Sequence, residues 1–265
     1  MEQAATKVTI LVAAHKPYSM PDDSIYRPIL VGAAQHANVP NEHWLKDETG
    51  RNISQKNAHY NELTALYWAK YNLKDQEVIG LAHYRRFLGR KMSHQYTALL
   101  TQSDIEQGLA QTDVLLPKAR NYWIETQAKH YLNAHAKRPL EVLSAVITKH
   151  YPRYQAAFEQ VQASKKAHLF NMSIMRQADF QAYTDFMFGV LELVDDQLDY
   201  AQLTGEDQRA LGFLGERLMD VWLIANEKRY LEYPLVTLEK TNWLNKGWHF
   251  LRRHFSNSQN KKTHF

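Results

Sequence analysis

Three short apolar runs constrain the fold of this chain more than any other feature. They are Val8-Thr9-Ile10-Leu11-Val12-Ala13-Ala14, Val78-Ile79-Gly80-Leu81-Ala82 and Asp113-Val114-Leu115-Leu116-Pro117. None alternates apolar with polar residues, so each reads as a strand covered on both faces. Helix-like segments lie between them. Ala58 to Tyr71 reads as one helix burying Leu63, Leu66, Tyr67 and Tyr71, capped by Asn57 or Ser54, and Ser103 to Thr112 as another with Ser103 as its N-cap. Strands alternating with helices predict an α/β fold with a mostly parallel central sheet flanked by helices.

After Pro117 the pattern becomes helical, which predicts a helix-rich C-terminal half. Its stripes are Leu140, Leu143, Val146 and Ile147; then Phe180, Tyr183, Met187, Val190, Leu191 and Val194; then Leu211, Leu214, Leu218, Val221 and Trp222. Between the first two, His168 to Met175 reads as a strand returning to the sheet. The expected organisation is one domain over 1–239 and a separate tail over 240–265.

Composition narrows the function. The chain has no cysteine, which excludes disulfides, thiolate catalysis and zinc–thiolate sites and suits a cytoplasmic address. No run approaches the roughly 18–20 apolar residues of a membrane span, and the N-terminal apolar run reads as a strand rather than a signal peptide. The net charge of +4 is uneven: residues 240–265 carry six lysines and arginines and no acid, leaving the body slightly acidic. An acidic body argues against a nucleic-acid platform. In the tail, Trp243, Leu244, Trp248, Phe250, Leu251 and Phe255 interleave with Lys246, Arg252 and Arg253. Cations beside indole and phenyl rings favour an anionic membrane interface; a terminal helix packed on the core is the competing reading.

In a parallel sheet, ligands gather at the carboxyl ends of the strands, so the residues that follow each strand are the first suspects. The first run ends in His15-Lys16-Pro17-Tyr18, followed by Met20-Pro21-Asp22-Asp23. Tyr18 can stack on a base while His15 and Lys16 donate; the spacing alone favours an ordinary surface turn organised by two prolines. Asp47 to Asn57, with Asn52 and Lys56, enters a helix N-terminus and offers backbone N–H groups and a cation to a phosphate. The second run leads into His83-Tyr84-Arg85-Arg86-Phe87, where paired guanidiniums match phosphate oxygens or, alternatively, helix carboxylates. Neither a GxxxxGK[ST] loop nor a GxGxxG turn occurs, which removes the common ATPases and Rossmann dehydrogenases. His130 and His135, five apart, do not share a helix face and predict no metal site.

These segments together resemble a bacterial family of capsular and exopolysaccharide biosynthesis glycosyltransferases, long labelled a domain of unknown function. The resemblance rests on His15-Lys16-Pro17-Tyr18, Met20 to Asp23, Tyr26 to Gly32, Asn52-Ile53-Ser54 with Lys56-Asn57, Tyr60 to Trp68 and Ile79 to Phe87. Phe170-Asn171-Met172 with Ile174-Met175, and Arg209 to Leu218, complete it.

It implies a GT-A-like fold and sugar transfer from a UDP-sugar, UDP-galactofuranose among the donors, to a lipid-linked or growing surface glycan at the inner face of the plasma membrane. His15, Lys16, Tyr18, Asn52, Lys56, His83, Arg85, Arg86, Asn171 and Arg209 become donor-binding candidates. Glu216 becomes the base that activates the acceptor hydroxyl in an inverting reaction, with Asp23 as the runner-up. Many GT-A enzymes hold a divalent metal on an Asp-x-Asp pair where this chain has His83-Tyr84-Arg85. The expectation is therefore a metal-independent reaction in which cations neutralise the leaving diphosphate, with Asp22, Asp23 and Asp47 as ligands if Mg²⁺ or Mn²⁺ is used. Gly212 and Gly215, each costly in a helix interior, predict that something approaches the Glu216 helix closely. The competing functions are a non-catalytic nucleotide-sugar or glycan-binding partner and, less compatible with the charge, an RNA-binding protein.

Overall fold

The computed structural model describes residues 6–36 and 43–238. The tail over 240–265 lies outside them. β1 (Val8–Ala14) is followed by β2 (Tyr26–Leu30) and β3 (Leu45–Lys46), then by helices α1 (Asn57–Tyr60) and α2 (Leu63–Asn72). β4 (Val78–His83) turns back through β5 (Arg86–Leu88), and α3 (Gln102–Gln111) leads to β6 (Val114–Pro117). A short β7 (Arg120–Asn121) opens the helical half: α4 (Gln127–Ala134), α5 (Lys137–His150) and α6 (Gln155–Ala163). The chain then forms β8 (Lys166–Ala167), β9 (Ser173–Arg176), α7 (Gln177–Asp195), α8 (Ala210–Ala225), β10 (Tyr230–Tyr233) and β11 (Leu235–Thr237).

Among the described residues the main sheet has nine strands, in the order β10-β6-β9-β4-β1-β2-β3, with β5 and β11 attached beside β4. β1 pairs parallel with β2 and β4, β2 with β3, and β6 with β10. Only β9 runs against its neighbours along that path, pairing antiparallel with both β4 and β6. The sheet is mostly parallel and flanked by helices, a GT-A-like α/β architecture.

Every residue of β1 is buried, as its unbroken apolar run demands. Leu11 and Ala13 enter one core with α2, α5, α7 and α8, whereas Val8, Ile10 and Val12 enter a second core with α3, β5 and β11. The period-two geometry of a strand thus feeds two cores from one apolar run.

Local chemistry shifts several predicted boundaries. The cap of α3 is Thr101, not Ser103: its hydroxyl accepts the Asp104 N–H and the Asp104 carboxylate accepts from the Thr101 backbone, a reciprocal capping box. The predicted single helix over 58–71 is two helices, broken at Asn61 with φ +51°. Asparagine tolerates that region better than other non-glycine residues, and the Asn57 amide stabilises the break by donating to the Asn61 carbonyl. Neither Asn57 nor Ser54 caps a helix through its side chain. The predicted strand over 168–175 begins only at Ser173, because Phe170 and Asn171 both adopt left-handed backbone, at φ +74° and +54°. Two such residues together cost roughly 2–6 kcal/mol and persist only where their surroundings dictate them.

Candidate active site

The parallel strands present their carboxyl ends along one edge of the sheet, and the register brings the predicted loops together there. Ala13 pairs with His83 and Leu81 with Ser173, so the residues after β1, those after β4 and those before β9 are neighbours.

The segment before β9 is the hub. The Phe170 N–H donates to the Glu216 carboxylate at 2.8 Å, and the Phe170 carbonyl accepts from His83 Nε2 at 2.7 Å. The Asn171 amide donates to Glu62 Oε1 at 2.7 Å and to the Gly212 carbonyl at 3.1 Å, while its buried Oδ1 has no hydrogen-bond partner. The left-handed pair therefore aims one N–H at α8, one carbonyl at β4 and one side chain at the start of α2. The glycines on α8 permit this approach. A Cβ on Gly212 would lie 2.3 Å from the Asn61 amide nitrogen, and one on Gly215 would lie 2.9 Å from Leu63 and 3.1 Å from Asn171 Oδ1.

Glu216 is half-buried at this hub. Burial raises its pKa to about 7, with the negative charge of Glu62 adding to the rise and the Phe170 N–H, Arg217 and Arg120 opposing it. A carboxylate poised near neutrality can take a proton from a sugar hydroxyl and release it again. Burial likewise lowers the pKa of His83, against the pull of Glu62, so the imidazole is neutral and serves as an Nε2–H donor.

Beside the hub lies a cluster of cations and rings. Tyr18 and Tyr84 stack with centroids 3.7 Å apart, and His15 packs edge-on against both. Lys16 lies 5.4 Å from the Tyr18 ring, Arg85 4.6 Å from Tyr84, and Arg86 4.6 Å from Phe170. Burial, together with Lys16, Arg85, His36 and Arg209, lowers the pKa of His15. These positive groups converge closely enough to disfavour one more, the environment that an anionic ligand relieves. Arg209, just before α8, is held by a 2.7 Å bond from its Nε to Asn61 Oδ1, the residue that breaks the predicted helix.

The remaining predicted residues do not join this group. Asp23 lies in the turn entering β2, where its carboxylate accepts the Ile25 N–H; since Tyr26 pairs with Ile10 of the parallel β1, this is the opposite edge of the sheet. Asn52 spends its side chain inside its own loop, donating to the Glu48 and Gly50 carbonyls and accepting the Ser54 N–H. Lys56 is ion-paired to Asp195 at 2.6 Å. The donors that suggested a phosphate loop converge instead on the fully buried Asp47, which accepts from the Gly32 and Ala33 N–H groups and from the Ser54 and Thr64 hydroxyls. Asp47 is thus a structural anchor. On α8, Glu216 and Asp220 face the chain over 168–171 rather than solvent, since Asp220 accepts from the His168 backbone and ring.

Glu62 and Phe170 are the residues that sequence reasoning missed. Glu62 sat inside an apparently continuous helix; the Asn61-Glu62 polar pair within it was the available sign of a break. Phe170 acts through its backbone, which no side-chain pattern discloses. A second neighbourhood of Glu216 was also missed. It borders a small cavity of about 20 Å³ with Tyr122, His130, Tyr131, His135, Phe213 and Arg217, room for about one water. His130 and His135 lie in its wall, each with its own carboxylate, Glu125 and Asp207. Among the described residues no group of three or more His, Asp or Glu side chains is arranged to hold a metal ion. An imidazole and a guanidinium stand at the end of β4, where a carboxylate pair would be needed for a divalent cation.

Comparison with solved structures finds a match described as the apo form of a bifunctional glycosyltransferase, WbbM. The TM-score is 0.79 and the identity 24%, over 89% of this chain and 46% of that one. The likeness establishes the shared fold, and this chain spans about half the length of that enzyme. No curated protein matches the sequence. The family model described as a domain of unknown function, DUF4422, matches residues 9–227, and the chain belongs to that family.

Proposed function

We propose that this chain is a glycosyltransferase domain that moves a sugar from a nucleoside diphosphate donor to a hydroxyl of a glycan acceptor. The observation that carries the reading is the position of Glu216. A carboxylate with a pKa near 7 sits at the carboxyl edge of a GT-A-like sheet, bound to the Phe170 N–H, with His83 on the Phe170 carbonyl and Arg86 4.6 Å from the Phe170 ring. In the inverting reaction proposed, Glu216 takes the acceptor hydroxyl proton as that oxygen bonds to the anomeric carbon. The anomeric carbon–phosphate oxygen bond breaks and its electron pair leaves with the diphosphate. Lys16, Arg85 and Arg209 offset that growing charge, and the Tyr18–Tyr84 stack beside them is the aromatic surface proposed for the base.

The fold shared with WbbM, a bifunctional glycosyltransferase, supports the activity. A UDP-sugar is the proposed donor, with UDP-galactofuranose the first to test, and the proposed acceptor is a membrane-held, lipid-linked glycan. The residues at the end of β4 favour direct charge neutralisation over a divalent ion.

The test is calorimetry with UDP and a screen of UDP-sugars for transfer. Arg85→Ala is expected to weaken UDP binding about tenfold or more while the fold is retained, as a lost charge-assisted contact would. Unchanged UDP affinity in that variant would remove the diphosphate assignment.

A further inference from the structure

A strained, exposed tryptophan stands apart from the chemistry just described. Trp123 is 74% exposed and Ile124 55%. Trp123 also adopts φ +59°, a left-handed conformation that strains a non-glycine residue. Together the two side chains make a contiguous exposed apolar tip with polar residues beside it, the kind of patch that marks an interaction site.

The segment is firmly built. The Trp123 N–H donates to Asn121 Oδ1 and the Ile124 N–H to the Tyr122 carbonyl. Tyr122 is buried and stacks on His130 at 4.0 Å, and Glu125 is buried while binding His130 and Asn133. The pair Trp123-Ile124 therefore projects from a rigid support.

The surroundings identify the occupant. The tip continues the two-stranded ribbon of β7 and β8, in which Arg120 pairs with Ala167 and Asn121 with Lys166, and the Tyr122 N–H bonds to the Lys165 carbonyl. Lys118, Arg120, Lys165 and Lys166 are all exposed along this ribbon. The carboxylates that border the ribbon along the chain or by hydrogen bond are engaged elsewhere: Glu125 as described, and Glu232 with the Ala119 N–H and His168. A platform for a sugar ring would set its aromatic among free carboxylates and amides that bind hydroxyls. Here an indole and a sec-butyl group stand at the tip of a ribbon that exposes four cations, the combination that enters the headgroup region of an anionic bilayer.

We infer that the β7–β8 ribbon, with Trp123 and Ile124 at its tip and Lys118, Arg120, Lys165 and Lys166 beside them, is a membrane-contact surface for anionic lipid. The surface is adjacent to the candidate active site: Tyr122 walls the cavity beside Glu216, and the charge of Arg120 is felt at Glu216. Docked this way, the base would face an acceptor whose lipid lies in the same leaflet. The lipid-acceptor part rests on the proposed function; the membrane contact does not.

The test is co-sedimentation of the full chain with phosphatidylcholine vesicles, with and without about a third phosphatidylglycerol. Trp123→Ser with Ile124→Ser, and separately Lys165→Glu with Lys166→Glu, should each weaken binding to the anionic vesicles about tenfold or more. Trp123→Gly, which relieves the left-handed strain, should bind vesicles less well yet melt at the same or a higher temperature, separating lost contact from lost fold. These readouts need no turnover, so they stand whether or not sugar transfer is found. Three results would overturn the inference. One is wild-type vesicle binding in these variants, which would assign binding to other segments. Another is intact vesicle binding with impaired transfer to a water-soluble glycan, which would make Trp123 a sugar platform. The third is a wild-type dimer in sedimentation that the Trp123 variants dissociate, which would make the patch a contact between two copies.

Discussion

Glu216 carries two opposed demands at once. Its folded pKa of about 7 lies above the ordinary carboxyl value of 4.5, so the folded state binds its proton more tightly than the unfolded state. Its contribution to stability is present below pH 4.5 and is lost as pH rises through about 7. Glu216→Gln is therefore expected to melt at a higher temperature than the wild type at pH 8. The difference should vanish below pH 4.5, since glutamine keeps the acceptor for the Phe170 N–H. The same substitution should lower transfer roughly a hundredfold to ten-thousandfold with UDP binding retained, and the wild-type rate should rise with pH along a limb centred near 7. Calorimetric melting and a pH–rate profile check both halves. Loss of UDP binding in step with loss of rate would place Glu216 on the donor instead. The candidacy of Glu216 was legible in its motif, whereas its raised pKa was not, because burial and the nearness of Glu62 arise from segments about 150 residues apart.

Among elements, the loop over 47–57 shows how one buried charge can organise a region. Asp47 accepts from two backbone N–H groups at the end of β2 and from two hydroxyls, one of them on α2. Asp47→Ala would strand those donors and should cost about 3 kcal/mol or more, read as a lowered denaturation midpoint in urea. The side chains of this loop had suggested a phosphate cradle, and the donors are indeed gathered, but around a carboxylate supplied by the chain itself.

A second clasp joins α8 to β10. His168 donates from Nδ1 to Asp220 and from Nε2 to Glu232, so both ring nitrogens carry protons and the ring is an imidazolium. Burial works against that charge, but the two carboxylates outweigh it and raise the pKa. The clasp's stability is thus full below the ordinary histidine value of 6.5 and lost as pH rises through the higher folded value. Urea midpoints should fall over that window more steeply in the wild type than in His168→Gln, which keeps only the loss due to Glu216. A wild-type midpoint flat across it would show that the clasp contributes nothing to stability.

At the scale of the whole molecule, the sheet edge gathers histidine, lysine and arginine, which the proposed reaction uses in place of a divalent cation. Transfer is accordingly expected to survive excess EDTA with less than about a twofold loss, and UDP binding to weaken as salt rises, because exposed cations are screened over about 10 Å at 0.1 M. Abolition by EDTA with restoration by Mn²⁺ would refute direct neutralisation.

What the sequence determined by itself is the class of fold and that the loops after β1 and β4 emerge at one edge of the sheet. Unbroken β-branched runs can be satisfied only by burial on both faces, and the residues that follow such strands must emerge at one edge. These are consequences of local spacing and of water. Only the tertiary structure decided which polar groups meet. Asp23 is sent to the far edge by the direction of β2, Lys56 is paired across 139 positions to Asp195, and Glu62 is brought to Asn171 across 109. Such partnerships depend on how distant segments pack, and hydrogen bonds and charges act over a few ångströms of space whatever their separation along the chain.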